Sequence, residues 1–167
     1  DQEYIYANVK DITLQKRLET TLINERTRYQ LMMESSSDGI FIMGMDGALL
    51  ECSHMAAQFL GYPMEEMTTL NVFDWNASIS QEKMPGLIAS LSDIPINFET
   101  KHRRKNGSLY DAAITAVKLH LDEKEYIYAA VRDITAQKIL ENQLFDLSKK
   151  LINIAENIPG MIYTYQY

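Results

Sequence analysis

The sequence predicts an α+β domain: a five-stranded antiparallel sheet with short helices on one face, flanked by long amphipathic helices. Three observations predict it. Strand-like and helix-like segments follow one another in the order ββ, helices, βββ. Turn-forming residues join the strands into hairpins, which implies antiparallel pairing. One phrase also occurs twice: EYIYANVKDITLQKRLETTL from Glu3 to Leu22 returns as EYIYAAVRDITAQKILENQL from Glu125 to Leu144, with 14 of 20 positions identical at a separation of 122 residues.

That period is too long for a solenoid unit and suits a small domain plus a linker. Residues 1–12 therefore read as the last strand of a preceding repeat and 13–33 as a linker helix. Residues 34–134 read as one complete domain, 135–157 as a C-terminal linker helix, and 158–167 as the start of a following repeat. AENIPGMIYTY, Ala155 to Tyr165, occupies the place that MESSSDGIFIM, Met33 to Met43, holds one period earlier, allowing a one-residue gap. The chain reads as a piece of a longer protein.

Within the complete unit, GIFIMGMDGALLECS reads as two strands turning at Asp46-Gly47, where both residues tolerate positive φ. HMAAQFLGYPMEEM reads as short helices broken at Gly61 and Pro63, and NVFDWNAS as irregular. A helix is expected from about Ser80 to Leu91, with Pro85 distorting its first turns. Three strands close the unit: Ile96 to Arg104, Ser108 to Leu121 after an Asn106-Gly107 turn, and Glu125 to Asp133 after Asp122-Glu123-Lys124. In the last, Ile127, Ala129 and Val131 share one face, with Tyr126, Tyr128 and Ala130 on the other. The periodicity then changes. Leu140, Leu144, Leu147, Leu151 and Ile154 are spaced 4, 3, 4, 3, a heptad seam, and Thr135 stands where a hydroxyl can cap a helix. The earlier copy offers Leu18, Leu22, Glu25, Tyr29 and Met32, a seam weakened by Glu25.

Composition narrows the function. The net charge is −7 and the pI about 5.0, which argues against nucleic acid as a partner. The basic run KHRRK, Lys101 to Lys105, precedes a turn and lacks interleaved aromatics, so it reads as a solvated strand end. A single cysteine, Cys52, allows no intrachain disulfide and fits a cytoplasmic setting. No apolar run reaches membrane-spanning length, although a longer parent chain can still be membrane-associated. The adjacent carboxylates Glu65-Glu66 and Asp122-Glu123 read as exposed charges. No activated nucleophile beside a base is apparent, so the piece does not read as an enzyme.

The order of elements and several phrases resemble the PAS domain, the sensory module of bacterial signalling proteins. SSDGIFIMGMDGALLECSHMAAQFLGYPMEEM is similar to its opening, FETKHRRKNGSLYDAAITA to its third strand, hairpin and fourth strand, and YAAVRDITAQK to its last strand and Asp-Ile-Thr junction. The resemblance covers about 100 residues and implies the PAS fold, with output from a separate histidine kinase or diguanylate cyclase domain. A cysteinyl-flavin is disfavoured, because the flavin-binding relatives carry their cysteine where this chain reads NVFDWNAS. Haem is disfavoured too, since the expected helix from Gln81 to Leu91 holds no histidine. His54, His102 and His120 have no metal-ligand spacing and read as solvated or core residues, and Cys52 as core. The cofactor, if any, stays unknown.

The resemblance implies a cavity between helices and sheet. Phe41, Phe73, Trp75, Met84, Ile88, Phe98 and Tyr128 are expected around it, either lining a small-molecule pocket or filling it. With no charged anchor in view, an apolar or aromatic ligand would fit best. Asp133, Ile134 and Thr135 are the expected signal-transmission site, coupling the last strand to the outgoing helix. Leu140, Leu144, Leu147 and Leu151 are the expected seam of a homodimer, with neighbouring PAS and output domains in the same chain as further partners. The alternative is a ligand-free dimerisation and coupling module.

Overall fold

The computed structural model describes residues 10–157. The expected strand at 1–12 therefore lies almost wholly outside the described residues, and the expected repeat start at 158–167 lies wholly outside them. The chain divides into two compact units, Asp1–Ser36 and Ser37–Tyr167. The first contains α1 (Thr13–Ser35), entered through Asp11, whose Oδ1 accepts the Thr13 N–H at 2.9 Å.

The second unit is built on five strands: β1 (Gly39–Gly44), β2 (Leu49–Cys52), β3 (Ile96–Arg103), β4 (Leu109–Leu121) and β5 (Lys124–Asp133). They form one antiparallel sheet in the order β2-β1-β5-β4-β3. Chain order and sheet order differ because the helices intervene after β2, and the last three strands then form a meander that returns beside β1. The β4–β5 hairpin closes on Asp122 and Glu123, both at positive φ, with Leu121 opposite Lys124. This is the two-residue loop whose twist suits a hairpin, built here without glycine. At the β1–β2 hairpin Gly47 sits at φ 80°, and a Cβ there would meet Val72 Cγ1 at 2.7 Å.

Four short helices lie between β2 and β3: α2 (His54–Leu60), α3 (Met64–Met67), α4 (Val72–Trp75) and α5 (Met84–Ser90). Ser53 starts α2, its hydroxyl accepting the Ala56 N–H, and Gly61 ends it in the left-handed conformation. Two expectations need correction here. NVFDWNAS is not irregular throughout, because Asn71 and Asp74 form a reciprocal capping box that holds the single turn of α4. The last short helix begins at Met84 rather than near Ser80. Pro85 stands in its first turn, where a missing N–H costs nothing, so the proline starts the helix instead of distorting it.

The core lies between these helices and one sheet face. Phe41, Met43, Tyr110, Ala112, Ile114, Ala116, Ile127, Ala129 and Val131 point inward from the strands. Ala56, Leu60, Met67, Trp75, Met84 and Ile88 meet them from the helices. Phe41 and Trp75 stack with centroids 5.5 Å apart. Cys52, at the end of β2, is half-buried against this core. The unit ends in α6 (Thr135–Asn157), whose first turn is fastened to the sheet: Lys138 Nζ lies 2.7 Å from Glu99 Oε2 on β3 and 3.2 Å from Asp111 Oδ1 on β4.

Candidate functional site: a cavity and the junction below it

Two of the inward-facing residues of β4 and β5 are alanines that line one space, Ala116 and Ala129. Their short side chains leave room above the sheet. A cavity of about 70 Å³ opens there, floored by Ile114, Ala116, Ala129 and Val131 and roofed by Met84, Leu87, Ile88 and Leu91 of the α5 segment. Of the residues expected around it, the structure brings together Phe41, Trp75, Met84, Ile88 and Phe98. It does not bring Phe73 or Tyr128. Phe73 packs half-buried against the core from α4 and does not line the cavity. Tyr128 alternates with the cavity residues Ile127 and Ala129, and is paired with Val117 and Ile42, so it lies on the opposite sheet face.

The cavity also has three polar wall residues that sequence reasoning missed: Asn76, Thr100 and His102. Asn76 is satisfied locally, donating to Ile79 O at 2.5 Å and accepting from the Ile79 N–H at 3.3 Å. Thr100 is 9 % exposed, and its Oγ1 is fully buried with no hydrogen-bond partner among the described residues. His102 is 3 % exposed, and burial pushes its pKa down to about 4, so the ring is neutral near pH 7. KHRRK is therefore not a uniformly solvated strand end. Lys101 and Arg103 face solvent, while His102 faces the core and Arg104 is half-buried. The period-two pattern carried the signal, since Glu99, Lys101 and Arg103 alternate with Phe98, Thr100 and His102. The other histidines, His54 and His120, are exposed, and no cluster of three His, Cys, Asp or Glu able to hold a metal occurs among the described residues.

From His102 a run of contacts leaves the cavity. His102 Nδ1 lies 3.0 Å from Tyr110 Oη, across a directly paired position of β3 and β4. The Arg104 guanidinium stands 4.3 Å from the centroid of the Tyr110 ring, a cation–π contact. Arg104 Nη1 donates to Phe59 O of α2, and Nη2 donates to Asp133 Oδ2 at 2.6 Å. Asp133 Oδ1 in turn accepts the Thr135 N–H at 2.9 Å, the first free donor of α6. Burial raises the Asp133 pKa, but the bonds from Thr135 and the Arg104 guanidinium outweigh it and hold the carboxyl below its ordinary value.

The junction corrects the expected division of labour. Thr135 does not cap the helix with its hydroxyl. Its Oγ1 accepts the Asp111 N–H of β4 at 2.9 Å, and the Ile134 N–H donates to Asp111 O at 2.9 Å. Asp133 does the capping, because Thr135 is already the first helical residue and the cap must come from before it. Ile134 is 6 % exposed. The earlier copy repeats this carboxylate contact, with Asp11 Oδ1 accepting the Thr13 N–H, also at 2.9 Å, so the repeated phrase is a repeated local structure at that point. Beyond its first turn α6 presents Leu140, Leu144, Leu147 and Leu151 to solvent, each more than half exposed.

A family model described as PAS domain matches residues 37–136. Among solved structures, the chain is similar to the PAS domain of an HTR-like protein from Haloarcula marismortui, with TM-score 0.67 and 23% identity over 71% of this chain and 99% of that one. A PAS domain from a two-component sensor histidine kinase gives TM-score 0.56 and 15% identity over 65% and 96%. The PAS domain of nitrogen regulation protein NR(II) from Vibrio parahaemolyticus gives TM-score 0.53 and 8% identity over 63% and 96%. No curated protein matches the chain.

Proposed function

Because the chain belongs to the PAS domain family, a family of sensory signalling modules, we propose that it senses a change in its core and relays it to α6 through Asp133, Ile134 and Thr135. The observation that carries this reading is the unbroken run of side-chain contacts from His102 through Tyr110 and Arg104 to Asp133. The Tyr110 ring, which meets the wall residue His102, and the Asp133 carboxylate at the start of α6 thereby share one guanidinium. Displacing Tyr110 would move Arg104, and moving Arg104 would alter the charge that holds the Asp133 carboxylate on the α6 N-terminus.

The output end of the proposal is a pair of α6 helices. A stripe of leucines at heptad spacing, exposed along the helix, is costly in water and is covered when a second copy packs against it. A parallel homodimer would hand a shift at the junction to adjacent domains of a histidine kinase or diguanylate cyclase parent as a change of helix register. Modules of this family are typically not catalytic, and any enzyme activity would belong to those other domains. Among the described residues no helix is long and apolar enough to cross a membrane.

The alternative, a ligand-free coupling module, is favoured by one observation: the cavity of about 70 Å³ is far below the roughly 300–1,000 Å³ of ordinary ligand pockets. In either reading the junction does the transmitting. D133A/T135A in the full-length parent should abolish the change in output on stimulation while costing the domain about 1–2 kcal/mol, the worth of a lost cap. Unaltered output at that stability cost would refute the relay.

A further inference from the structure

We propose that residues 10–16, at the start of α1, are a docking surface for the sheet of a second domain that precedes them in the full-length parent. The partner is identified by what it must supply: an apolar recess for Ile12, a strand backbone N–H for the Thr13 hydroxyl, and carboxylates for Lys10 and Lys16. The proposal concerns α1 and stands apart from the relay into α6.

The warrant is what the matching residues do in the complete copy. Arg132 donates to both oxygens of Asp38, at 2.7 and 2.9 Å. Ile134 is 6 % exposed, and its N–H donates to Asp111 O. Thr135 Oγ1 accepts the Asp111 N–H. Lys138 Nζ reaches Glu99 on β3 and Asp111 on β4. Each of these contacts leaves the helix and ends on a strand or on the segment just before β1. Together they fasten a helix start to a sheet.

At a separation of 122 residues the chain offers Lys10, Ile12, Thr13 and Lys16 for Arg132, Ile134, Thr135 and Lys138. The charges, the apolar side chain and the hydroxyl are all kept. The local half of the structure is present, since Asp11 Oδ1 accepts the Thr13 N–H. The long-range half is not. Ile12 is 42 % exposed where its counterpart is 6 % exposed. The side chains of Lys10, Thr13 and Lys16 have no partner among the described residues.

Free-standing helix formation does not account for this set. The aspartate contact alone serves the helix start, and it asks for neither Ile12 nor Lys16. Two lysines beside a helix N-terminus are also unfavourable, because that end carries partial positive charge, and the first turn of α1 holds no acidic residue. Carboxylates on a neighbouring sheet would reverse the sign of that interaction. In the complete copy the same lysine position meets two of them.

The test is hydrogen–deuterium exchange on two chains: the 167-residue chain, and the same chain extended upstream in the parent by one further period of 122 residues. Amides of 13–18 should exchange at least about tenfold more slowly in the extended chain, because docking closes the helix start. There I12A should abolish the protection, as loss of a buried isoleucine would. K16M should reduce it by about two- to fivefold, the worth of a surface ion pair. Neither change should alter exchange of 13–18 in the short chain. Lys138 and Asp111 are 27 residues apart, so an acidic residue is expected close to 27 positions before Lys16. K16E should lose protection, and replacing that acidic residue by lysine should restore it. K138M, the internal control, should loosen 135–140 in both chains. Equal exchange of 13–18 in the two chains, protection insensitive to I12A and K16M, or no acidic residue at the upstream position would overturn the proposal.

Discussion

Thr100 and His102 stand two residues apart on one face of β3, and their polar atoms are treated differently: the imidazole meets Tyr110 Oη, whereas the hydroxyl has no hydrogen-bond partner among the described residues. That difference gives two predictions. T100V should stabilise the unliganded domain by about 1–3 kcal/mol in urea unfolding, since it removes an unsatisfied buried hydroxyl without changing shape; a destabilised T100V would mean that the hydroxyl is already paired in solution. His102 gives a pH dependence of known sign. Its folded-state pKa, about 4, lies below the unfolded value near 6.5, so between those values the unfolded chain binds more protons and stability falls as the pH falls. Between pH 7 and pH 5 the loss from this residue is roughly 2 kcal/mol, and H102Q should remove that part of the slope. An identical slope in H102Q would place the ring in water. Both residues were legible in the alternation of Glu99, Lys101 and Arg103 with Phe98, Thr100 and His102, but the run of basic residues read more loudly as a solvated charge cluster. The partners of Arg104 were not legible at all, because Phe59 and Asp133 lie 45 and 29 residues away from it.

At the scale of elements, strand pairing and hairpin positions were readable because turn residues and period two are local signals. What failed were signals that depend on tertiary position. The helix start at Met84 and the turn of α4 were misread because a proline and an Asn–Asp pair can break or begin a helix according to what surrounds them. Tyr128 was assigned to the cavity against the alternation of its own strand, and the sheet places it on the other face as that alternation requires. The exposed leucines of α6 carry the prediction proper to this scale. L144E/L151E should shift the chain from dimer to monomer in sedimentation equilibrium and leave the melting of the sheet domain nearly unaltered, since α6 is tied to the sheet through its first turn. A wild type that is monomeric at high micromolar concentration would remove the helix pair from the account.

At the scale of the whole domain, the sheet separates two jobs. Its β1, β5 and β4 faces build the core, and the β3–β4 hairpin side carries polar contacts from the cavity wall to the helix that leaves the fold. A packed domain responds to a small change inside by moving between discrete arrangements, and a contact run of this kind matters only if both ends bias the same element. The proposed relay is therefore a coupling between two places in the domain, and a coupling is measured by a double-mutant cycle. Hydrogen–deuterium exchange of the amides in 136–144 should be read in wild type, Y110F, R104Q and Y110F/R104Q. Y110F removes only the hydroxyl at the cavity end, yet it should change exchange at the start of α6 several-fold when Arg104 is present and hardly at all when Arg104 is glutamine. If Y110F has the same effect in both backgrounds, or none in either, the cavity and the junction are independent and the account is wrong.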